Sequence, residues 1–145
     1  MRKEARETAK EGSMLVRVLL IMHRRIMSDA VKRSLSGNPD FELFLNQDYK
    51  NVKDYVLTYK PDITLVEIPE SNAYHPKEYL EICVEVRETA PQCKLLLMCP
   101  ENSDESKRAA VESMHSGIIE DFIFYDVSIE YLATKLKALS TNYVY

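Results

Sequence analysis

Lys60-Pro61-Asp62-Ile63-Thr64-Leu65-Val66-Glu67-Ile68-Pro69 is the stretch that decides the fold of this chain. Ile63, Leu65 and Val66 form a short apolar run, opened by Pro-Asp and closed by Pro69. Such a run between turn residues reads as a strand buried on both faces of a parallel sheet. It ends on one carboxylate, Glu67, at the strand's C-terminal edge. Open parallel α/β sheets collect ligands and chemistry at that edge, which makes Glu67 the first candidate functional residue.

Working outward, Val16 to Met22 (VRVLLIM) is a continuous apolar run and reads as the first strand. Ile26, Ala30, Val31 and Leu35 follow at helical spacing, with Lys32 and Arg33 on the outer side, and Gly37-Asn38-Pro39 stops that helix. Phe41, Leu43 and Leu45 alternate with Glu42 and Phe44, as in a strand nearer a sheet edge. Asp48 is placed to cap a helix carrying Val52, Tyr55, Val56 and Tyr59. Beyond Glu67, a polar stretch from Pro69 to His75 leads into a helix with Tyr79, Leu80, Cys83, Val84 and Val86, finished by Pro91. Lys94 to Cys99 (KLLLMC) is a fourth strand. Ser103 or Asp104 starts a fourth helix that runs through Ala110 and Val111 to about His115, where Gly117 ends it. Phe122 to Tyr125 (FIFY) is the fifth strand, and Ser128 caps a last helix with Ile129, Leu132, Leu136 and Leu139.

Five strands alternating with five helices imply βαβ units with right-handed crossovers, hence an α/β fold: a parallel sheet covered on both faces. No repeat, low-complexity segment or linker interrupts residues 14–141, so they form one domain. Residues 1–13 read as a strongly charged tail, after which Met14 could serve as an alternative start, and residues 142–145 as a short C-terminal tail.

Composition narrows the function classes. The chain has 145 residues, 46% hydrophobic and 29% charged, with a formal net charge of -4. That acidic balance argues against a dedicated nucleic-acid binder. No signal-peptide pattern is evident and no apolar run approaches the ~20 residues of a membrane span. Three cysteines without a C-x-x-C pair fit a reduced, cytoplasmic setting with no membrane partner. Only three glycines occur, so neither G-x-G-x-x-G nor a P-loop can be built. The histidines and cysteines lack the spacing of a zinc site.

With VRVLLIM, KPDITLVEI, CKLLLMC and DFIFYDVS in this order, residues 15–140 resemble a response-regulator receiver domain of the CheY-like superfamily. The resemblance implies a flavodoxin-like (βα)5 doubly wound parallel five-stranded sheet of order 2-1-3-4-5. It also implies a two-component signalling role. Receivers bind Mg²⁺ through two acids after strand one and take a phosphoryl group on an Asp after strand three. A hydroxyl after strand four and a Lys after strand five contact that group.

Transferred residue by residue, these positions are degenerate. The acidic pair falls on Met22 and His23, the phosphoacceptor on Glu67, the hydroxyl on Cys99 and the Lys on Tyr125, while Phe122 keeps the switch aromatic. Between Met114 and Asp121 the chain is a few residues longer than is usual. Mg²⁺ needs hard oxygen ligands, and a thioether and an imidazole suit other metals. Without the metal and the Lys, the charge neutralisation that phosphoryl transfer needs is missing. Glu is also one methylene longer than Asp, which displaces the nucleophile. No cofactor is therefore expected, Mg²⁺ included. The plainest role for Glu67 is a strand-end carboxylate hydrogen-bonded to loop amides, His23 or Tyr125; a fixed mimic of a phosphoryl charge is the other.

Other chemistry is weaker. Cys99, His23 and Glu67 could compose a cysteine nucleophile set, but a thiol at the end of an apolar strand is usually an inert buried hydrophobe. Arg24-Arg25 with Lys32 and Arg33 read as a solvated helix face before a phosphate-binding one. The nine tyrosines mostly cover core edges with hydroxyls in water. Tyr131, early in the last helix, and Tyr143-Val144-Tyr145 are better placed for contacts with a partner. The expected function is a non-enzymatic, stand-alone receiver-like module. It meets a protein partner or a second copy through helix 4, strand 5 and helix 5, independently of phosphorylation. The alternative is a response regulator still phosphorylated, on Glu67 or by an unusual arrangement, within a phosphorelay. Degenerate receivers also occur fused to larger proteins, such as ATPases of pilus-assembly systems.

Overall fold

The computed structural model describes residues 15–69 and 76–140. Expectations for the tails, for Tyr74 and His75, and for Tyr143-Val144-Tyr145 lie outside them. The elements follow in strict alternation: β1 (Val16–Ile21), α1 (Arg25–Ser36), β2 (Phe41–Asn46), α2 (Val52–Tyr59), β3 (Ile63–Glu67), α3 (Pro76–Thr89), β4 (Lys94–Cys99), α4 (Asp104–His115), β5 (Asp121–Phe124) and α5 (Ile129–Ser140). All strand pairs are parallel and the sheet order is β2-β1-β3-β4-β5. This is the doubly wound flavodoxin-like arrangement expected from the sequence.

The apolar strands alternate between two cores. Val18 and Leu20 of β1, Ile63 and Leu65 of β3, and Leu96 and Met98 of β4 face one side, where Val31 and Leu35 of α1 and Leu132 and Leu136 of α5 cover them. Leu19, Ile21, Val66, Leu95 and Leu97 face the other, under Val52 and Val56 of α2, Tyr79, Cys83 and Val86 of α3 and Ala110 of α4. With helices on both sides, the three central strands need apolar residues at nearly every position, which is why they read as continuous runs.

Helix ends follow local chemistry. Ser103 caps α4 by accepting from the Ser106 N–H, and the Ser128 hydroxyl accepts from the Tyr131 N–H at the start of α5. Gly117, at φ +79°, turns the chain after α4. Asp48 does not cap α2: the residue before that helix is Asn51, in the left-handed region, and the Asp48 carboxylate accepts from the Lys50 N–H inside the preceding loop. In α1, Ile26 and Ala30 lie on the solvent side, and Ser28, Val31 and Leu35 are the buried residues. Helical spacing alone could not choose between those two overlapping faces.

The segment between α4 and β5 is held by Arg87 of α3. Its guanidinium donates to the carbonyls of Pro91, Cys93 and Ile118 and to both carboxylate oxygens of Glu120, at 2.6 and 2.8 Å. Glu120 also accepts from the Leu95 N–H of β4.

A carboxylate clasp at the sheet edge

Glu67 is the last residue of β3 and shares the pleat side of Ile63 and Leu65, so its side chain emerges beneath the start of α1. It is fully buried, at 0% exposure. Oε1 accepts from the backbone N–H groups of His23 (2.8 Å) and Arg24 (3.2 Å). Oε2 accepts from Arg24 Nε at 2.7 Å. The carboxylate therefore serves amides at the N-terminus of α1, where helix N–H groups lack intrahelical partners, and an ion pair at once.

Arg24 sits directly before α1, so one short loop supplies both the amides and the cation. The pair is buried on the Glu67 side and 36% exposed on the Arg24 side. The guanidinium lies over the ring of Tyr125, its carbon 4.1 Å from the ring centroid. The Tyr125 hydroxyl in turn donates to the carbonyl of Ile68. The β1–α1 loop, the end of β3 and the end of β5 are thereby tied together through side chains.

A second tyrosine closes the site from the opposite flank. Tyr49 donates its hydroxyl to the backbone carbonyl of Glu67 at 2.6 Å, and its ring packs edge-on against Tyr79. Burial, and then the nearby Glu67 carboxylate, push the Tyr49 phenol well above its ordinary pKa. Asn46, buried at the end of β2, shapes this loop: its carbonyl oxygen accepts from the N–H groups of Asp48 and Tyr49, and its amide donates to the Lys50 carbonyl. Tyr49 and Asn51 both adopt positive φ here, a cost of order 1 kcal/mol each that these bonds offset.

The structure brings some of the expected site residues together and separates others. Glu67, Tyr125 and the backbone of His23 meet; the His23 side chain is exposed and its ring tilts toward Tyr49 at 6.1 Å. Met22 is buried in the core under α1 and α5. Cys99 belongs to the opposite core, facing α2 to α4, and burial raises its thiol to about 12. A Cys99–His23–Glu67 set is not assembled, because the sheet pleat sends Cys99 away from the side that Glu67 occupies. Phe122 is half-buried on β5 and packs edge-on against Phe124. Arg24 corrects the sequence reading: it is no solvated face residue but the cation of the clasp. Its position right after the first strand, at the same sheet edge as a lone carboxylate, was the available signal. Tyr49 and Tyr125 likewise use their hydroxyls on backbone carbonyls, not in water.

On the α4–β5–α5 side, Met114, Phe122, Phe124, Val127 and Tyr131 line a shallow groove of about 570 Å³. Tyr131 is 49% exposed. Lys107 stands over the Phe124 ring, and Lys135 pairs with Asp121 at 2.6 Å and lies against Tyr131.

No protein-family model matches the sequence, and no curated protein matches it either. Many solved structures share its fold. A DNA-binding response regulator of the LuxR family from Staphylococcus aureus superimposes with a TM-score of 0.70 at 16% identity, over 88% of this chain and 100% of that one. A response regulator from Thermotoga maritima gives 0.70 at 19% identity, over 87% and 98%. A CheY-like protein (tadZ) from Pseudomonas aeruginosa PAO1 gives 0.66 at 10% identity, over 90% and 97%. At such identities the likeness is one of fold, and the fold is that of response-regulator receiver domains.

Proposed function

We propose that this domain is a receiver-like signalling module whose phosphorylation site has been replaced by an internal ion pair, and which works by binding another protein. The observation that carries this reading is the occupancy of Glu67. Both carboxylate oxygens are committed within the chain, to two backbone amides and one guanidinium. A phosphoacceptor must present a free oxygen in line with the donor phosphorus; here the nearest cation, Arg24, is already bonded to that oxygen.

The residues do not fit Mg²⁺. Its octahedral oxygen shell would have to be drawn from a buried thioether at Met22, an imidazole at His23 and a carboxylate already paired. Among the described residues no group of three His, Cys, Asp or Glu side chains stands close enough to hold a metal. The domain is not an enzyme on this reading. The groove at Tyr131, Phe122 and Phe124 is its partner surface, for another protein or a second copy: aromatic, half-exposed and rimmed by Lys107 and Lys135. Among the described residues no helix is long and apolar enough to cross a membrane.

The test is an amide NMR titration with Mg²⁺, followed by Mg²⁺ with beryllofluoride as a phosphoryl mimic. The expected result is no shift at Glu67, Arg24, Cys99 or Phe122 at about millimolar Mg²⁺. Shifts spreading from Glu67 to Phe122 would establish a working switch and reinstate the phosphorylated response regulator. For the surface, Tyr131→Ala should weaken a demonstrated dimer or complex by about tenfold or more, with Glu67→Gln leaving it intact.

A further inference from the structure

The outer side of β2 is an open, apolar sheet edge. In its parallel ladder with β1, the Val16 N–H donates to the Asp40 carbonyl and the Met22 N–H to the Asn46 carbonyl, with unbroken one-to-one register between them. That pattern turns the N–H and C=O groups of the even-numbered residues toward β1 and those of Leu43 and Leu45 away from the sheet. Among the described residues nothing bonds to these four outward groups. Edge strands are ordinarily guarded by lysine, proline, a bulge or an inward-pointing charge. Phe41-Glu42-Leu43-Phe44-Leu45-Asn46 contains none of the first three, and its one charge, Glu42, pairs with Arg17 of β1 at 3.3 Å. Leu43, Phe44 and Leu45 are half-buried.

This strand also matches itself. Leu43-Phe44-Leu45 reads the same in both directions. With a two-fold axis at Phe44, two copies of β2 run antiparallel, and Leu43 of each lies opposite Leu45 of the other. These are the residues whose backbone groups point outward, so four N–H···O=C bonds form and leave none of those groups unpaired. The two Phe44 residues become the closely spaced non-hydrogen-bonded pair at the axis, and Glu42 faces Asn46, so no like charges oppose each other within the strands. A parallel pairing of the two edges is not symmetric. Each residue would oppose itself, whereas a parallel ladder sets an outward-facing residue opposite an inward-facing one, as Leu43 stands opposite Val18.

We infer that the domain self-associates through β2, joining two five-stranded sheets into one of ten strands about a two-fold axis at Phe44. A second copy is the occupant because the match of outward groups, side-chain order and charge is a match of this strand with its own reverse. The contact does not rest on the Tyr131 groove: β2 and β5 are opposite edges of the sheet.

The first test uses the unaltered protein, by sedimentation velocity and amide hydrogen exchange between about 1 µM and about 500 µM. A dimer should form, and exchange of the Leu43 and Leu45 amides should slow as concentration rises. Leu43→Pro removes an outward donor without touching the β1 ladder; it should raise the dimer Kd by about tenfold or more, and Tyr131→Ala should leave it unchanged. Phe44→Cys should cross-link under mild oxidation, because the native thiols are buried and the α-carbons of such a pair stand about 4.5 Å apart. Glu42→Cys should not, since two residues off the axis its α-carbons are about 14 Å apart. A monomer at every concentration gives the edge to a strand of some other protein and overturns the proposal. So does a dimer in which the Leu43 and Leu45 amides exchange freely, or one lost in Tyr131→Ala and kept in Leu43→Pro. Cross-linking of Glu42→Cys as readily as Phe44→Cys sinks the register. The exchange measurement needs no variant to fold, and the two edges can fail separately.

Discussion

Replacing Arg24 by leucine is the most direct probe of the clasp. Leucine keeps much of the alkyl volume and removes the guanidinium. The variant loses a 2.7 Å charge-assisted hydrogen bond to a fully buried carboxylate, worth about 1.5–3 kcal/mol. It also loses the stacking on Tyr125, about 0.5–1 kcal/mol. Breaking a fully buried ion pair costs about 3–5 kcal/mol. Two features pull the value below the top of that range: Arg24 is 36% exposed, so water already screens it, and the two amide bonds to Glu67 remain. The expected loss is about 3 kcal/mol, or roughly 6–12 °C in Tm for a domain of this size. Urea unfolding followed by far-UV circular dichroism measures it. Glu67→Gln should cost about 2 kcal/mol, because its amide would face the guanidinium donor to donor. The double variant should then recover about 1–2 kcal/mol relative to the sum. A loss below about 1 kcal/mol for Arg24→Leu, or additivity within about 0.5 kcal/mol, would mean that the backbone amides alone hold Glu67 and that the ion pair locks nothing.

Three further perturbations test separate parts of the structure. Tyr125→Phe keeps the ring under Arg24 but leaves the Ile68 carbonyl without its donor, so it should cost about 1 kcal/mol, and Tyr125→Leu about twice that; equal losses would show that the ring contributes nothing. Arg87→Ala removes the donor to three carbonyls and to Glu120 and should destabilise by about 3 kcal/mol, with Arg87→Lys recovering less than half because an ammonium cannot span the same fork; full recovery by lysine in urea unfolding contradicts this. Burial raises the thiols of Cys83 and Cys99 to about 12 and that of Cys93 to about 11. Since the folded values exceed the unfolded ones, the neutral thiols' contribution is complete below pH about 9 and is lost as pH rises toward 12; alkylation at pH about 8 should accordingly require denaturant, and rapid native labelling would refute it.

The fold was legible because its strongest signals are physical necessities of a doubly wound sheet. A strand covered on both faces must be apolar nearly throughout, so β1, β3 and β4 announced themselves within a residue of their observed bounds. Ser103 and Ser128 marked helix starts through their own chemistry. The candidate site was legible at Glu67 and in its bonds to loop amides at His23, but not in its cation. Arg24 was misread because helical periodicity begins one residue later, at Arg25, and a cation beside another cation reads as surface. Its role depends on β1 and β3 being neighbours, which brings residues 43 positions apart in sequence into contact. Tyr49 escaped for a related reason: its hydroxyl reaches Glu67 only through a loop with two left-handed residues that Asn46 organises. Ile26 was assigned to the buried face because two helical stripes overlap in α1, and only packing against α5 and β2 selects between them.

On the proposed reading, the clasp also sets what any ligand must overcome at this edge. A cation or phosphoryl group that used Glu67 would first displace Arg24, forfeiting about 3 kcal/mol, a factor of about 150 in affinity. A site that would otherwise bind Mg²⁺ at about 1 mM is moved to about 0.1 M. On the same reading, removing Arg24 would not by itself restore a phosphorylation site, since Met22 and His23 offer no carboxylate beside Glu67 and the receiver resemblance puts Tyr125 where the Lys would stand. Two independent changes therefore oppose the switch: the acids that would attract the metal are missing, and the remaining acid is satisfied from within. A ligand shifts a conformational equilibrium only by its differential affinity for the two states. On the proposed reading, that difference is set against the sheet edge, and control of this domain comes through contacts elsewhere on its surface, where Tyr131 and Ile26 are exposed.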